Sequence, residues 1–278
     1  MNLLAIDTST DVMSVGVQRL VGGVPQQWLF QGAGGAQASA GLIAAVLDLM
    51  KQAQLNMADL DAICFGAGPG SFTGLRTACA VAQGLGFGAG VPLLPVDSLL
   101  AVAEDARFTA LAEQASGRIM ALLDARMDEV YCAVYAFGGD QWSTVQPAGL
   151  MRPEDVRADG ATLAGNVFGV YADRLQLDFR EKPEPGLRVA KGFAQVKEEP
   201  AQRAGDTEQR PLPHWVLAAP TAAAILRLAP QLLAAGGAVD AALALPHYIR
   251  DKVAKTTVER ATEKAESLAR AQSLPLKV

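Results

Sequence analysis

An internal repeat constrains the fold of this 278-residue chain more than any other feature of its sequence. The segment LLAIDTSTDVMSVGVQ at residues 3–18 recurs as IMALLDARMDEVYCAVYA at residues 119–136. Asp7 aligns with Asp124 and Asp11 with Asp128, and in each copy an apolar strand ends at an aspartate and is followed by an alternating strand. A repeat of this length predicts a duplicated domain.

The first hundred residues predict the order β-β-β-α-β-α-β. Short apolar or alternating runs indicate the strands, and the helices are expected at about Ser39–Gln54 and after the glycine-rich segment at 66–74. Two such halves resemble the fold of actin, sugar kinases and Hsp70. We therefore expect an α/β protein with a duplicated actin-like (ribonuclease H-like) fold, in which two domains face a cleft.

The predicted domain limits follow from the repeat and from composition. We place an N-terminal domain at 1–102, a C-terminal domain at 103–254 and a charged helix or tail at 255–278. Residues 181–213 are rich in proline and charge, which predicts a loop insertion that buries little surface. A long helix is expected from about Pro220 to Ala235.

Charge is unevenly distributed along the chain. The net charge of −5 argues against a basic face that binds nucleic acid unaided. The first hundred residues carry only nine charged side chains, against about a quarter of residues in an average domain. This half therefore has little charge for its own surface, which predicts a large apolar patch covered by a partner.

The segment GAGPGSFTGLRTACAVAQG at residues 66–84 has the appearance of a phosphate loop. It lacks the Gly-Lys-Ser/Thr ending of a Walker A loop, the G-x-G-x-x-G spacing of a dinucleotide site and the spacing of a nucleophile elbow. Small residues continue into the following helix, which favours close helix packing. An anion at the helix start remains the alternative, with Asp7, Ser71, Thr73 and Gly74 as candidate anion or nucleotide contacts.

The helix at 39–54 is apolar nearly all round, which predicts burial on two sides. One stripe contains Ile43, Val46, Leu49, Met50 and Ala53, and Leu47 and Lys51 lie on another face. One side fits the sheet of its own domain and the other fits a partner. The candidate interface residues on the two helices are Ala40, Ile43, Ala44, Leu47, Met50, Lys51, Arg76, Thr77 and Ala80.

Candidate catalytic groups are sparse in this sequence. His214 and His247 stand alone, no H-x-x-x-H or C-x-x-C spacing occurs, and the three cysteines have apolar neighbours. We therefore expect neither a metal site nor a catalytic residue. The hairpin aspartates are followed by TST and ARMDEVY, without the glycine that lets backbone touch phosphate, so an independent small-molecule kinase or ATPase is the weaker alternative.

Four segments together resemble the TsaB (YeaZ) family, namely LLAIDTST, GAGPGSFTGLRTACAVAQGL, LLDARMDEVYCAVY and LPHYIRDKVA. The resemblance covers residues 1 to about 254. It implies a non-catalytic paralogue of TsaD that serves as a scaffold, with TsaD and TsaE, in forming N6-threonylcarbamoyladenosine at position 37 of tRNAs that read codons beginning with A. Catalysis is then expected in TsaD.

The resemblance also implies how such a subunit assembles. Pairing with TsaD through helices of the N-terminal half is expected, with a homodimer through the same surface when the chain is alone. We expect no cofactor in the isolated chain, ATP in the assembled complex, and contact with tRNA only through that complex. The N-terminus has no basic leader and no apolar run spans a membrane, which predicts a cytoplasmic protein.

Overall fold

Two sheets with the same strand order form the framework of this computed structural model. The structure describes residues 1–175, 192–197 and 215–250. Residues Met1–His247 form one unit, and Tyr248–Val278 form a second, of which the structure describes 248–250.

The first sheet is built from a three-stranded antiparallel meander and two parallel strands. Its strand order is β10-β3-β2-β1-β4-β5. Its strands are β1 (Leu3–Asp7), β2 (Val12–Val21), β3 (Val24–Ala33), β4 (Ala62–Gly68), β5 (Leu93–Asp97) and β10 (Gly192–Lys197). Strand β1 pairs antiparallel with β2 and parallel with β4, so it lies at the centre of the sheet, and all five of its residues are buried.

The second sheet repeats this arrangement in the order β11-β9-β6-β7-β8. Its strands are β6 (Ser116–Arg126), β7 (Glu129–Gly138), β8 (Gln141–Met151), β9 (Thr162–Gly165) and β11 (Trp215–Leu217). Strand β6 takes the place of β1, because it pairs antiparallel with β7 and parallel with β9. The predicted fold class, a duplicated actin-like fold, is confirmed.

One face of each sheet is covered by a helix that follows the other sheet in the chain. The helices are α1 (Ala38–Ala53), α2 (Phe72–Ala89), α3 (Ser98–Ala110), α4 (Phe168–Tyr171) and α5 (Ala222–Ala234). Helices α1 and α2 cover one face of the first sheet. The other face of the first sheet is covered by α5, although α5 follows the second sheet in the chain. Conversely, α3 follows the first sheet in the chain but packs on strands of the second sheet.

Successive side chains of β1 point into core clusters on opposite faces of the first sheet. Leu4 and Ile6 point toward α1 and α2, whereas Leu3 and Ala5 point toward α5. The central strand is therefore covered on both faces, as its unbroken apolar sequence requires.

The structure revises several sequence predictions. Helix α3 was not predicted, and the expected domain limit at 102/103 falls inside it. Part of the predicted loop insertion at 181–213 is not loop, because Gly192–Lys197 forms β10 and pairs antiparallel with β3. Most of the remainder of that insertion and the whole predicted tail at 255–278 lie outside the described residues. No helix in the described part of the chain is both long and apolar enough to cross a bilayer.

Candidate docking face and hairpin carboxylates

Helix α1 has one face in the core and one apolar face in solvent. It is rich in alanine and leucine, which favour helix, and it ends at Gln54 in the left-handed region. The core face contains Ala38, Leu42, Ala45, Val46, Leu49, Met50 and Ala53. On the outer face the side chains of Ile43 and Leu47 remain 53% and 55% exposed. Ala40, Ala44 and Lys51 share this outer face.

One prediction about this helix was wrong. Met50, a candidate interface residue, is 3% exposed and belongs to the core against the first sheet. Ile43, which shared a predicted stripe with Met50 and was also a candidate interface residue, points outward. Both faces of the helix are apolar, so the 3.6-residue period identifies two stripes but does not say which of them meets the sheet.

Helix α2 adds a second outward stripe. Its N-cap is Ser71, and it ends at Gly90 in the left-handed region. Arg76, Ala80, Gly84 and Phe87 recur at helical spacing on the exposed side, and Phe87 is 62% exposed. Phe87 was missed from the sequence, although its spacing from Arg76 and Ala80 places it on their face.

Two candidate residues of α2 also make local contacts. The Arg76 guanidinium lies over the ring of Phe72, 4.9 Å from its centroid. The Thr77 hydroxyl donates to the Thr73 carbonyl at 2.9 Å, and its side chain is half-buried at the edge of the stripe. The Arg76 guanidinium thus packs on Phe72 on the exposed side of the helix, and Thr77 is only partly exposed.

The two stripes form one surface, because α1 and α2 contact each other and share a core cluster. We define this surface as the docking face. It contains Ala40, Ile43, Ala44, Leu47 and Lys51 of α1 and Arg76, Ala80, Gly84 and Phe87 of α2. Its exposed apolar side chains are Ile43, Leu47 and Phe87, its two charged ones are Lys51 and Arg76, and its small residues let another helix approach closely, a composition that suits a surface covered by a protein.

The glycines of the loop before α2 serve close packing. A Cβ on Gly74 would lie 1.8 Å from the Thr8 carbonyl oxygen, and the Thr8 hydroxyl donates to the Gly74 carbonyl at 2.6 Å. The Ser71 hydroxyl accepts from the Gly74 N–H at 3.5 Å and thereby caps its own helix. Thr73 is exposed beside this turn. Among the four candidate anion contacts, Ser71 and Gly74 are therefore engaged within the chain.

Asp7 is fully buried at the end of β1. Its Oδ1 accepts from the Ser9 N–H at 2.9 Å and from the Ser9 hydroxyl at 2.8 Å. Burial raises the pKa of Asp7 to about 7, and the two bonds from Ser9 lower it only in part. A group with no exposed surface does not meet a ligand in this arrangement, so Asp7 is not a surface contact for an anion or nucleotide.

The other hairpin aspartates are paired with arginines. Arg126, in the turn between β6 and β7, reaches Asp124 at 3.2 Å and both carboxylate oxygens of Asp11 at 3.2 Å. Asp128 accepts from Arg174 at 2.8 Å. The two repeat copies are thus joined at Asp11 and Asp124 by the Arg126 guanidinium.

Of the two histidines, His247 lies in the described part of the chain and His214 lies outside it. His247 is exposed, and its backbone N–H donates to the Ala67 carbonyl at 2.6 Å. Among the residues that the structure describes, no group of three or more His, Cys, Asp or Glu side chains is arranged to hold a metal ion.

Comparison with known proteins places this geometry in a family. A family model described as TsaD, tRNA N6-adenosine threonylcarbamoyltransferase, matches residues 36–271. The protein named tRNA threonylcarbamoyladenosine biosynthesis protein TsaB from Haemophilus influenzae is 31% identical over 207 residues, which cover 68% of this chain and 80% of that protein. The Escherichia coli protein of the same name is 32% identical, with 59% of this chain and 68% of that protein covered.

A solved structure agrees over a longer span. YeaZ from Pseudomonas aeruginosa superposes with a TM-score of 0.66 at 32% identity, and the match covers 89% of this chain and 99% of that one. The chain therefore belongs to the group that the TsaD model describes and, within it, to the TsaB (YeaZ) family.

Proposed function

We propose that this chain is a non-catalytic scaffold subunit for the formation of N6-threonylcarbamoyladenosine at position 37 of tRNAs that read codons beginning with A. It pairs with TsaD, which performs the transfer, and TsaE joins this pair with ATP. The names of the relatives from H. influenzae and E. coli support a role in this modification.

The docking face is the observation that carries the proposal. Ile43, Leu47 and Phe87 are each more than half exposed on helices that otherwise complete a core. Leaving such side chains in water is unfavourable, by roughly 25 cal/mol for each Å² of apolar surface. A partner helix pair that covers both stripes removes this surface from water, and a second copy of the chain does so when TsaD is absent.

The remaining parts of the proposal concern tRNA, nucleotide and location. A net charge of −5 fits a subunit that meets tRNA only through the complex. The pairing of Asp11 and Asp124 with Arg126 fits a chain that holds no nucleotide by itself. We place the assembly in the cytoplasm, where the tRNA substrate is found.

A binding experiment with two matched variants tests the scaffold role. Leu47→Asp places a charge at the centre of the docking face, and we expect its affinity for TsaD to fall by at least about 2 kcal/mol, or about thirtyfold. Val145→Asp makes a similar change at a half-exposed valine on β8, outside the docking face, and should bind as the unmodified chain does. Size exclusion with and without TsaE and ATP separates bound from free protein.

Two outcomes would contradict the proposal. One is that no complex with TsaD forms under any of these conditions. The other is saturable binding of ATP and magnesium by the isolated chain in calorimetry, together with turnover, which would favour the independent kinase or ATPase. Equal loss of binding in both variants would show that the loss does not depend on the docking face.

A further inference from the structure

Two buried polar atoms face the same glycine at the ends of the parallel strands. Oδ2 of Asp7 and Oγ of Ser98 are inaccessible to solvent and have no hydrogen-bond partner among the described residues. Both lie beside Gly66 of β4, because a Cβ at that position would come within 1.8 Å of Asp7 Oδ2 and 3.5 Å of Ser98 Oγ. Half of the Asp7 carboxyl is therefore without stabilising donors.

The residues that follow Asp7 are clamped to the first turn of α2. The Thr8 hydroxyl donates to the Gly74 carbonyl at 2.6 Å, and the Ser71 N–H donates to the Ser9 carbonyl at 2.7 Å. Ser9 is also the residue whose N–H and hydroxyl hold Asp7. The carboxyl is thus linked through hydrogen bonds of Thr8 and Ser9 to the helix that carries Arg76, Ala80 and Phe87.

Among the described residues, the bonds to the Asp7 carboxyl come from Ser9 and none comes from a cation; His247, whose backbone N–H bonds to Ala67 of β4, is exposed. Strand β4 contributes Gly66 and Cys64, and burial raises the pKa of the Cys64 thiol to about 12, which keeps it neutral. Helix α3 begins beside the acidic Asp97, whose carboxylate accepts from the Tyr135 hydroxyl at 2.8 Å and from the N–H groups at the helix start.

The polar and charged groups farther from Asp7 have partners of their own. Strand β2 contributes Ser14 opposite Asp7, and its hydroxyl accepts from the Ala222 N–H of α5. Beyond the β1–β2 turn, Arg126 is shared between Asp11 and Asp124. On α2 the cation is Arg76, which lies on the exposed side over Phe72. An ionised Asp7 therefore relies on the two donors of Ser9.

We propose that the proton on Asp7 is a switch for the docking face, an inference that rests on the proposed function. The protonated carboxyl keeps residues 8 and 9 and the first turn of α2 in the docked arrangement. Ionisation leaves a buried carboxylate with one unpartnered oxygen. The free-energy cost of this burial is removed when residues 8 and 9 separate from the first turn of α2 and the Asp7 carboxylate becomes hydrated.

The sign of the pH dependence follows from the two protonation equilibria. In the open form the carboxyl is hydrated and titrates near its ordinary pKa of about 3.9, whereas burial raises the pKa of Asp7 to about 7 in the closed form. The closed form is favoured at low pH. The equilibrium constant for opening rises about tenfold for each pH unit from about 4 to about 7 and is constant above that range.

Hydrogen exchange on the full chain tests the switch without any partner. After correction for intrinsic exchange rates, we expect the amides of Ser9, Ser71 and Leu75 to lose about hundredfold in protection between pH 5 and pH 7.5. Asp7→Asn should remove this dependence. The control Asp11→Asn, at an exposed carboxylate in the same turn, should retain it.

The inference is overturned if these amides show no pH dependence in the unmodified chain, or if Asp7→Asn retains the full slope. Where Asp7→Asn does not fold, the profile of the unmodified chain alone decides.

Binding to TsaD tests the link to docking. We expect the affinity of the unmodified chain to be about threefold or more weaker at pH 8 than at pH 6, and that of Asp7→Asn to change less. Binding that is identical at both pH values, with pH-dependent exchange, would overturn the link. A failure to bind at either pH contradicts the proposed function and leaves the exchange result as the separate test of the switch.

Discussion

Arg227 of α5 donates from Nε to Oε1 of Glu104 of α3 at 2.7 Å, in a pair that is almost completely buried. Glu104 also accepts from Nε and Nη2 of Arg107 and from the indole N–H of Trp142 on β8. The carboxylate is thus fully bonded at the point where the two exchanged helices meet. Since α3 packs on one sheet and α5 on the other, this single side chain joins both halves.

Replacing Glu104 with Ala should strongly destabilise the protein. The substitution leaves two arginines without their buried counter-charge, at a cost of about 3–5 kcal/mol in the free energy of unfolding. Urea denaturation measures this loss. The matched control is Asp140→Asn, since Asp140 lies 3.9 Å from Arg107 but is 95% exposed and should contribute less than about 1 kcal/mol. Similar losses in both variants would contradict the central role of Glu104.

Two glycines of α2 should respond in opposite ways to alanine. At Gly74 a Cβ would collide with the Thr8 carbonyl oxygen, so we expect Gly74→Ala to destabilise by about 2 kcal/mol or more. At Gly84 a Cβ meets nothing within 4 Å, so Gly84→Ala should stabilise by up to about 1 kcal/mol through helix propensity. Thermal unfolding separates the two, and equal melting temperatures would contradict the close approach of β1 to α2.

Removing the Tyr135 hydroxyl should cost more at high pH than at low pH. Burial raises the pKa of Asp97, and the hydrogen bond from Tyr135 lowers it. In Tyr135→Phe the pKa of Asp97 rises further. Because the pKa of Asp97 is higher in the folded protein than in the unfolded chain, its contribution to the free energy of unfolding is fully present below the unfolded pKa. That contribution is lost as the pH rises above the unfolded pKa. We therefore expect a loss of about 1–3 kcal/mol at pH 8 and a smaller one at pH 5, measured by urea unfolding. A larger loss at pH 5 would contradict this assignment.

The turn between β6 and β7 should accept glycine at its tip. Arg126, Met127 and Asp128 all have positive φ, at 61°, 55° and 60°. The Met127 side chain is partly exposed, so Met127→Gly removes the cost of the left-handed conformation and should stabilise by up to about 1 kcal/mol. Val145→Gly, at an exposed position in extended β8, should destabilise instead. A destabilised Met127→Gly would show that the methionine side chain makes a contribution larger than the backbone cost.

Local sequence patterns predicted much of this fold, because strands and amphipathic helices leave a periodic signal. The repeat of Asp7 at Asp124 predicted the duplication, and the predicted helix at 39–54 lies within one residue of α1. Periodicity did not resolve which stripe of α1 meets the sheet, and so Met50 was assigned to the interface although it lies in the core.

Contacts between distant segments left no such signal. Strand β10 lies in a charged, proline-rich stretch and is defined by its pairing with β3. The segment ARMDEVY, which contains Arg126, was predicted to lack open backbone for phosphate, but the bond of Arg126 to Asp11 depends on how the two hairpins meet. Phe87 needed only the helical spacing from Ala80, so this part of the docking face was within reach of the sequence.

The exchange of α3 and α5 has a consequence for how such a chain arose. A single repeat, expressed alone, would leave one face of its sheet bare, because the helix that follows each sheet covers the opposite one. Two copies of that ancestor could bury those faces only by trading their last helices, as domain-swapped dimers do. The present chain has the architecture of such a swapped pair joined into one polypeptide, in which each sheet has one face covered by a helix from the other half.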